Sequence, residues 1–329
     1  MKSIIVTGAN QLGTAEVAEP IPEADEALIE LRACGVCGSD LHSYRAGKVG
    51  QSIGHEFAGV VAKCGHSGRL REGDRVVLNV VGGCGRCEYC LAGQENYCPE
   101  IWTHGRQVKP GGYTEKVTYV ERNCLIIPPE MSFETAIVTG GCGIGVAWHG
   151  IKRLNIQPGE WIPVFGVGSI GLSAVMLLRH LKAQPLALDQ SEYRLNLATQ
   201  CGAADKMSAT QEGIEEKIKQ LKVRVCILCT GNHQAAERAL RMLRPGGTLL
   251  ILGGLADWKF NSWEMIGVGD KTLMGSWHYH RNEWDEICAL AKDGLPLEKM
   301  VTHAYPMEQA GQAYATFVSG NSGKVILKI

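Results

Sequence analysis

Four cysteines within 15 residues, Cys84-x2-Cys87-x2-Cys90-x7-Cys98, constrain this chain more than any other feature. They sit in a loop dense in glycine and polar residues. Four thiolates can close a tetrahedral shell around a zinc ion with no position left open, which makes a structural site. The competing use of cysteine is the disulfide. The total here is 13, an odd number, and clustered cysteines in a reducing compartment bind metal more often than they pair. The opening residues, Met1-Lys2-Ser3-Ile4-Ile5-Val6-Thr7-Gly8, carry an apolar run too short for a signal-peptide core. The sequence has no run of about 20 apolar residues to span a bilayer. The expectation is a cytoplasmic protein with no membrane partner.

A length of 329 residues suggests two domains. Lys plus Arg number 33 against 34 Asp plus Glu, a net charge of −1. With no cationic surplus to neutralise a row of phosphates, no nucleic-acid partner is expected.

Residues 1–135 are rich in Gly, Val, Pro and Cys. Short segments at Ala27–Ala33, Gly59–Ala62, Arg75–Asn79 and Tyr113–Val120, punctuated by turn residues, predict a mostly antiparallel β unit. Phe133 to Leu154 reads as helix interrupted by Gly140-Gly141-Cys142-Gly143. Beyond it, strands are predicted at Trp161–Phe165, Pro185–Leu188, Val223–Cys229, Thr248–Leu252 and Thr272–Ser276. They alternate with helices at Ser169–Lys182, Tyr193–Cys201 and Gln234–Leu243. That alternation predicts a parallel sheet covered on both faces, and so an α/β chain. The tail from Glu283 is expected to hold one helix and then the strand Lys324–Ile329.

Gly166-Val167-Gly168-Ser169-Ile170-Gly171 fits G-x-G-x-x-G, with a predicted strand before it and a predicted helix starting at Ser169. In that context the first glycine makes the turn, the second lets backbone approach a pyrophosphate, and the third packs helix on strand. The phosphates then meet a positive helix N-terminus. Asp189 lies 23 positions after Gly166, at the end of the next strand. A carboxylate there accepts from the ribose hydroxyls and repels a 2′-phosphate, which favours NAD over NADP. Val6-Thr7-Gly8-Ala9-Asn10 has the opening of another dinucleotide motif, but its next glycine, Gly13, is one place late and no helix follows; it reads as a β-turn.

A second set of metal-ligating residues is dispersed. Cys37 lies in Gly35-Val36-Cys37-Gly38-Ser39-Asp40-Leu41-His42. His55 and Glu56 lie in Gly54-His55-Glu56-Phe57-Ala58-Gly59, and Cys142 lies in the glycine-rich break. Singly, each has an unremarkable reading as a core or surface residue. Together, two thiolates and an imidazole form a Cys2His set that leaves a fourth zinc position open for water or substrate. Two further pairs invite a site less strongly. Cys226 and Cys229 fall at i and i+3 of a predicted strand and so face opposite sides. His278 and His280 follow the last predicted strand of the parallel sheet and read as a strand-end pair or a cleft wall.

With these motifs in this order, the chain resembles the zinc-dependent medium-chain alcohol and polyol dehydrogenases throughout its length. Alcohol dehydrogenase is the type example of the Cys2His catalytic zinc set. The resemblance implies a GroES-like, mostly β catalytic domain at residues 1–145 with a zinc lobe at 84–98, a doubly wound Rossmann domain at 146–280, and a return to the catalytic domain at 281–329. It implies two zinc ions per chain and NAD. Cys37, His55 and Cys142 would hold the catalytic zinc, with Glu56 as an occasional fourth ligand. Cys84, Cys87, Cys90 and Cys98 would hold the structural one. Ser39 matches the hydroxyl that contacts the substrate oxygen and His42 the proton-relay residue. Asp40 matches the carboxylate that orients His55, and Lys324 the basic residue that braces the site near Asp40 and the cofactor. Gly166, Gly168, Ser169, Ile170, Gly171 and Asp189 match the dinucleotide site, and Arg194 the basic residue near the adenine ribose.

The implied reaction is hydride transfer between NAD and a secondary alcohol, with zinc polarising the hydroxyl. A homodimer or homotetramer is implied as well. Sorbitol-type members usually carry Glu where this chain has Cys142, whereas Gly38-Ser39-Asp40 is the form common among sugar, polyol and threonine dehydrogenases. A polar alcohol is therefore the expected substrate. A ketone or aldehyde reductase is the same chemistry run backwards. A non-catalytic zinc or redox-sensing protein on this scaffold would be expected to lack the ligands or Ser39, and all are present.

Overall fold

A computed structural model of the chain describes residues 1–101 and 111–329. The chain divides into two units. Met1–Gly145, Tyr279–Lys292 and Val301–Ile329 make the first; Val146–His278 and Asp293–Met300 make the second. The first break of this division falls between Gly145 and Val146. The expected 281–329 segment does not belong wholly to the first unit, because Asp293–Met300 returns to the second. Leu295, Leu297 and Met300 are buried there, Ser173 Oγ lies 3.8 Å from Met300 Sδ, and Lys299 Nζ donates to Gln200 O at 3.0 Å.

The first unit begins with a hairpin of β1 (Lys2–Gly8) and β2 (Gln11–Glu16), turned at Ala9-Asn10 with Asn10 at φ 60°. Its sheet contains β3 (Glu26–Gly35), β4 (Glu56–Lys63), β5 (Arg75–Leu78), β6 (Lys116–Val120) and β7 (Cys124–Ile126). The strands numbered β14 (Val301–Pro306) and β15 (Lys324–Lys328) join it from the end of the chain. The order is β14-β15-β3-β4-β5-β7, with β6 also on β3. Among the described residues, β14–β15 is the one parallel pair of this sheet; the other pairs are antiparallel.

Alternation along β3 turns Ala27, Ile29 and Leu31 into a core shared with Phe57, Val76, Tyr113, Tyr119 and Leu327. The end of β3 matters most for the site. There Gly35 pairs with Glu56 of β4 on one side and with Ile326 of β15 on the other. Residues 35, 56 and 324 are thereby drawn together from three parts of the chain.

In the second unit, β8 (Trp161–Phe165), β9 (Gln184–Asp189), β10 (Asp205–Ser208), β11 (Val225–Leu228), β12 (Thr248–Ile251) and β13 (Thr272–Gly275) form a wholly parallel sheet. Their order is β10-β9-β8-β11-β12-β13. Counted from β8, that is 3-2-1-4-5-6, the doubly wound arrangement whose ligands bind where the strand order reverses. The reversal falls between β8 and β11. Helices Ser169–His180, Glu192–Gln200, Ile214–Gln220 and His233–Met242 connect the strands.

Among the described elements outside the sequence expectations are two strands and two helices. β10 is polar with Met207 its buried residue, and helix Ile214–Gln220 is two turns long. β14 is an edge strand that ends in proline, and helix Ala310–Val318 carries Gly311 in its first turn. Each is too short or too irregular to show a clear hydrophobic period. Among the described residues, no helix is long and apolar enough to cross a membrane.

Candidate metal centres and dinucleotide loop

In the zinc lobe, Cys84 and Cys87 precede the helix Glu88–Leu91, which carries Cys90; Cys98 follows the 3-10 turn Glu95–Tyr97. The four sulfurs lie within 4.8 Å of one another, with Cys84 Sγ and Cys90 Sγ 4.0 Å apart. Two thiolates 2.3 Å from one tetrahedral ion stand about 3.8 Å apart, so the set fits zinc. Backbone N–H groups of Cys84 and Glu100 donate to Cys98 Sγ at 3.2 and 3.4 Å. The N–H of Arg86, chief among several donors, brings the Cys84 thiol down to about 7. The apolar material beneath is slight: Val81 and Ile101 pack with Cys90 and Cys98.

The second cluster is assembled by the sheet. Cys37 is in extended conformation just past β3 and leads into the 3-10 turn Gly38–Asp40 and the helix Leu41–Ala46. His55 and Glu56 open β4. Cys142 sits in the break between helices Phe133–Gly140 and Ile144–Ile151. One ligand atom from each of Cys37, His55, Glu56 and Cys142 lies within 4.8 Å of the others. Cys142 Sγ is 3.9 Å from His55 Nε2. His55 Nδ1 donates to Asp40 Oδ1 at 2.9 Å, which fixes the tautomer and turns Nε2 towards the sulfurs. Ser39 Oγ lies 3.3 Å from that Nε2 and donates to Cys37 Sγ at 3.4 Å.

The groups of the cluster shift one another's protonation. The Cys37 thiol is held well below its ordinary range, chiefly by a hydrogen bond with Cys142 and, against the cost of burial, by the charge of His55. The same hydrogen bond, and then burial, pushes Cys142 up. Burial raises Glu56 to about 7 despite its ion pair with Lys324. Burial opposes the Lys324 charge, but Glu56 and the two thiols outweigh it and keep Lys324 cationic. Both members of this pair are buried. Glu56 and the two cysteines thus lie around the ammonium of Lys324, while Asp40 pairs with His55. Among the described residues, Glu56 Oε1 is buried without a hydrogen-bond partner, while Oε2 is paired to Lys324. A divalent ion would satisfy the sulfurs, the imidazole and that orphaned oxygen, so the residues fit zinc.

Two further residues of the site are placed by the same elements. Lys324 braces the cluster through its ion pair with Glu56, because β15 enters the sheet opposite β4 across the end of β3. His42 is exposed on the first turn of its helix, and among the described residues no hydrogen bond joins it to Ser39.

In the second unit, β8 ends at Phe165 and Gly166 turns with φ 82°. A Cβ at Gly171 would stand 2.0 Å from Gly166 O, whereas none would meet anything within 4 Å at Gly168. The third glycine therefore allows helix and strand to touch, and the second leaves open backbone for a phosphate. Gly168 caps the helix Ser169–His180 without a side chain, which leaves room for an anion at that helix terminus. Asp189 Oδ2 accepts from Val167 N and Oδ1 from Ser191 N, both at 2.9 Å, which ties the acid to the loop. A cavity of about 330 Å³ is lined by Gly168, Asp189, Arg194, Thr230 and Arg238. Ser169 and Ile170 open the helix beside it. Arg238, held by Glu215 at 3.1 Å, was not foreseen, since a helical arginine far along the chain carries no local signal.

Of the remaining candidates, Cys226 is buried in the core of this unit, and Cys229 lies just past β11, donating its N–H to Phe165 O at 2.8 Å. His278 and His280 fall in different units. His280 packs edge-on against Tyr97 and caps the turn Arg281–Glu283.

Residues 23–129 match the family described as alcohol dehydrogenase GroES-like domain, and 169–293 match the zinc-binding dehydrogenase family. The chain is 30% identical to an uncharacterized zinc-type alcohol dehydrogenase-like protein, YphC, of Escherichia coli K12, over 99% of this chain and 98% of that one. It is 29% identical to a sorbitol dehydrogenase of Bacillus subtilis, over 95% and 92%. Among solved structures, the alcohol dehydrogenase TADH from Thermus sp. ATN1 superposes with a TM-score of 0.89 at 28% identity, covering 100% of both chains. Read with the two ligand clusters and the glycine loop, these likenesses establish that the chain belongs to the zinc-dependent medium-chain alcohol dehydrogenases.

Proposed function

We propose that this enzyme interconverts a polar secondary alcohol, such as a polyol or a sugar-derived alcohol, and its ketone, using NAD. The observation that carries the reading is the grouping of Cys37, His55 and Cys142 with the Ser39 hydroxyl 3.3 Å from His55 Nε2. When bound, zinc supplies Lewis acidity to a carbinol oxygen, and the dinucleotide takes up the hydride. The chain's own residues do the rest. Ser39 holds the hydroxyl proton at its Oγ, and His42, exposed one helical turn on, takes it to solvent. Asp40 fixes the His55 ring. Lys324 keeps the Glu56 carboxylate paired within the cluster.

The polar substrate is supported by the Gly38-Ser39-Asp40 segment and by the relative named sorbitol dehydrogenase. The preference for NAD is supported by Asp189, which would meet a 2′-phosphate with like charge. The same reading has the protein working in the cytoplasm as a homodimer or homotetramer. A screen of polyols, amino alcohols, cyclitols and simple alcohols with NAD and NADP, followed by reduced-nicotinamide absorbance, tests it. Turnover concentrated on polar secondary alcohols with NAD is expected. Turnover confined to simple primary alcohols, or equal efficiency with NADP, would overturn it.

A further inference from the structure

Behind Asp40 lies a buried aromatic pair that the chemistry above leaves unused. Tyr113 and Tyr314 are both 0% exposed. While Asp40 Oδ1 accepts from His55, the Tyr113 hydroxyl stands 3.3 Å from Oδ2. It also lies 3.4 Å from Gly35 O and 3.1 Å from the Tyr314 hydroxyl. A phenol has one proton to give, and the strongest acceptor within reach of Tyr113 is the carboxylate oxygen of Asp40 left over from the bond with His55. Among the described residues, the Tyr314 hydroxyl has Tyr113 as its hydrogen-bond partner. The consistent direction is therefore Tyr314 to Tyr113 to Asp40, with each bond polarising the next. Held on both oxygens, the Asp40 carboxylate cannot swing away from His55.

The ring of Tyr113 acts on the same histidine from another side. Gly54, directly before His55, has φ +94°, and a Cβ there would lie 2.6 Å from Tyr113 Cδ1 and Cε1. The backbone runs alongside: Gly112 N donates to Gly54 O at 2.9 Å and Tyr113 N to Ile53 O at 3.2 Å. One residue thus clamps the turn that carries His55 and, through Asp40, the ring of His55.

We propose that Tyr113, supplied by Tyr314, is a positioning residue of the metal centre that aims His55 Nε2 into the ligand cluster before an ion arrives. The proposal rests on reading Cys37, His55 and Cys142 as that centre. Partners beyond the direct ligands typically change metal affinity by about 10–100-fold. Tyr113→Phe keeps the ring over Gly54 and removes the donor.

The test strips the exchangeable metal from wild-type and variant protein and titrates each with Co²⁺ against a chromophoric chelator, recording the visible cobalt–thiolate bands. The expected result is about tenfold weaker Co²⁺ binding by Tyr113→Phe, with altered bands and the lobe zinc retained. Equal affinity with superimposable bands overturns the proposal. Should Tyr113→Phe not fold, Tyr314→Phe decides, since its ring contact with Tyr44 at 4.7 Å is kept: a loss of about threefold supports the relay, and equal affinity overturns it. If the wild-type site takes up no Co²⁺, the reading of a metal centre fails, and the proposal with it.

Discussion

The two cysteine clusters of the first unit are built in opposite ways. The lobe draws four like ligands from one stretch, Cys84 to Cys98, over a small apolar patch. The other draws unlike ligands from residues 37, 55 and 142, and surrounds them with aligned neighbours: Asp40 on His55, Ser39 on Cys37, and Lys324 on Glu56. A site that only has to hold its ion can be local and closed. A site that must polarise a substrate needs an open position and aimed ligands, and the fold has to supply them.

Cys37→Ser should break the comparison most sharply. Loss of a catalytic ligand is expected to lower turnover by more than about 10³-fold, equivalent to the several kcal/mol of Lewis-acid stabilisation. The lobe zinc and the melting temperature should stay near wild type. Steady-state kinetics with metal analysis check this, and a variant that keeps both metals and activity contradicts it. Cys90→Ser should do the reverse. Losing a structural metal belongs among the largest stability effects, about 4 kcal/mol or more, visible as a lower melting temperature. Freshly folded protein should still turn over, and an unchanged melting temperature would count against a structural role.

A smaller effect is expected from His42→Gln, which leaves both clusters intact. Losing a general-base relay is typically worth about 10²–10⁴-fold. Oxidation should slow most at low pH, where hydroxide cannot replace the histidine, with zinc content unchanged. Parallel kcat/KM profiles against pH with equal rates would show that the proton leaves by another path. Smallest is Asp189→Ser, which removes two backbone hydrogen bonds along with the charge. NAD efficiency should fall by about 10–100-fold while discrimination against NADP relaxes. An unaltered NAD-to-NADP ratio would move the discrimination elsewhere.

What the chain disclosed in advance follows the same division. Ligands close in sequence, and a glycine loop between a strand and a helix, announce themselves because their spacing is their geometry. The parallel sheet of the second unit follows from alternating strands and helices. Contacts made by the sheet do not show. Nothing near residue 324 says that β15 lies opposite β4 across the end of β3, so the ion pair of Lys324 with Glu56 has no signal in the sequence. Tyr113, Tyr314 and Arg238 look like ordinary core or surface residues until tertiary packing brings them to Asp40 or to the dinucleotide cavity. β10 and β14 are edge strands with few buried side chains, and their hydrophobic pattern was too thin to read.

The measurement that bears most directly on two sites of different kind is zinc content per chain, followed during dialysis against a chelator. The account predicts two zinc ions in wild-type protein, one lost readily together with activity and one retained with the fold. It predicts one in Cys37→Ser. One zinc or fewer in carefully prepared wild-type protein, or two that leave together with unfolding, would contradict it.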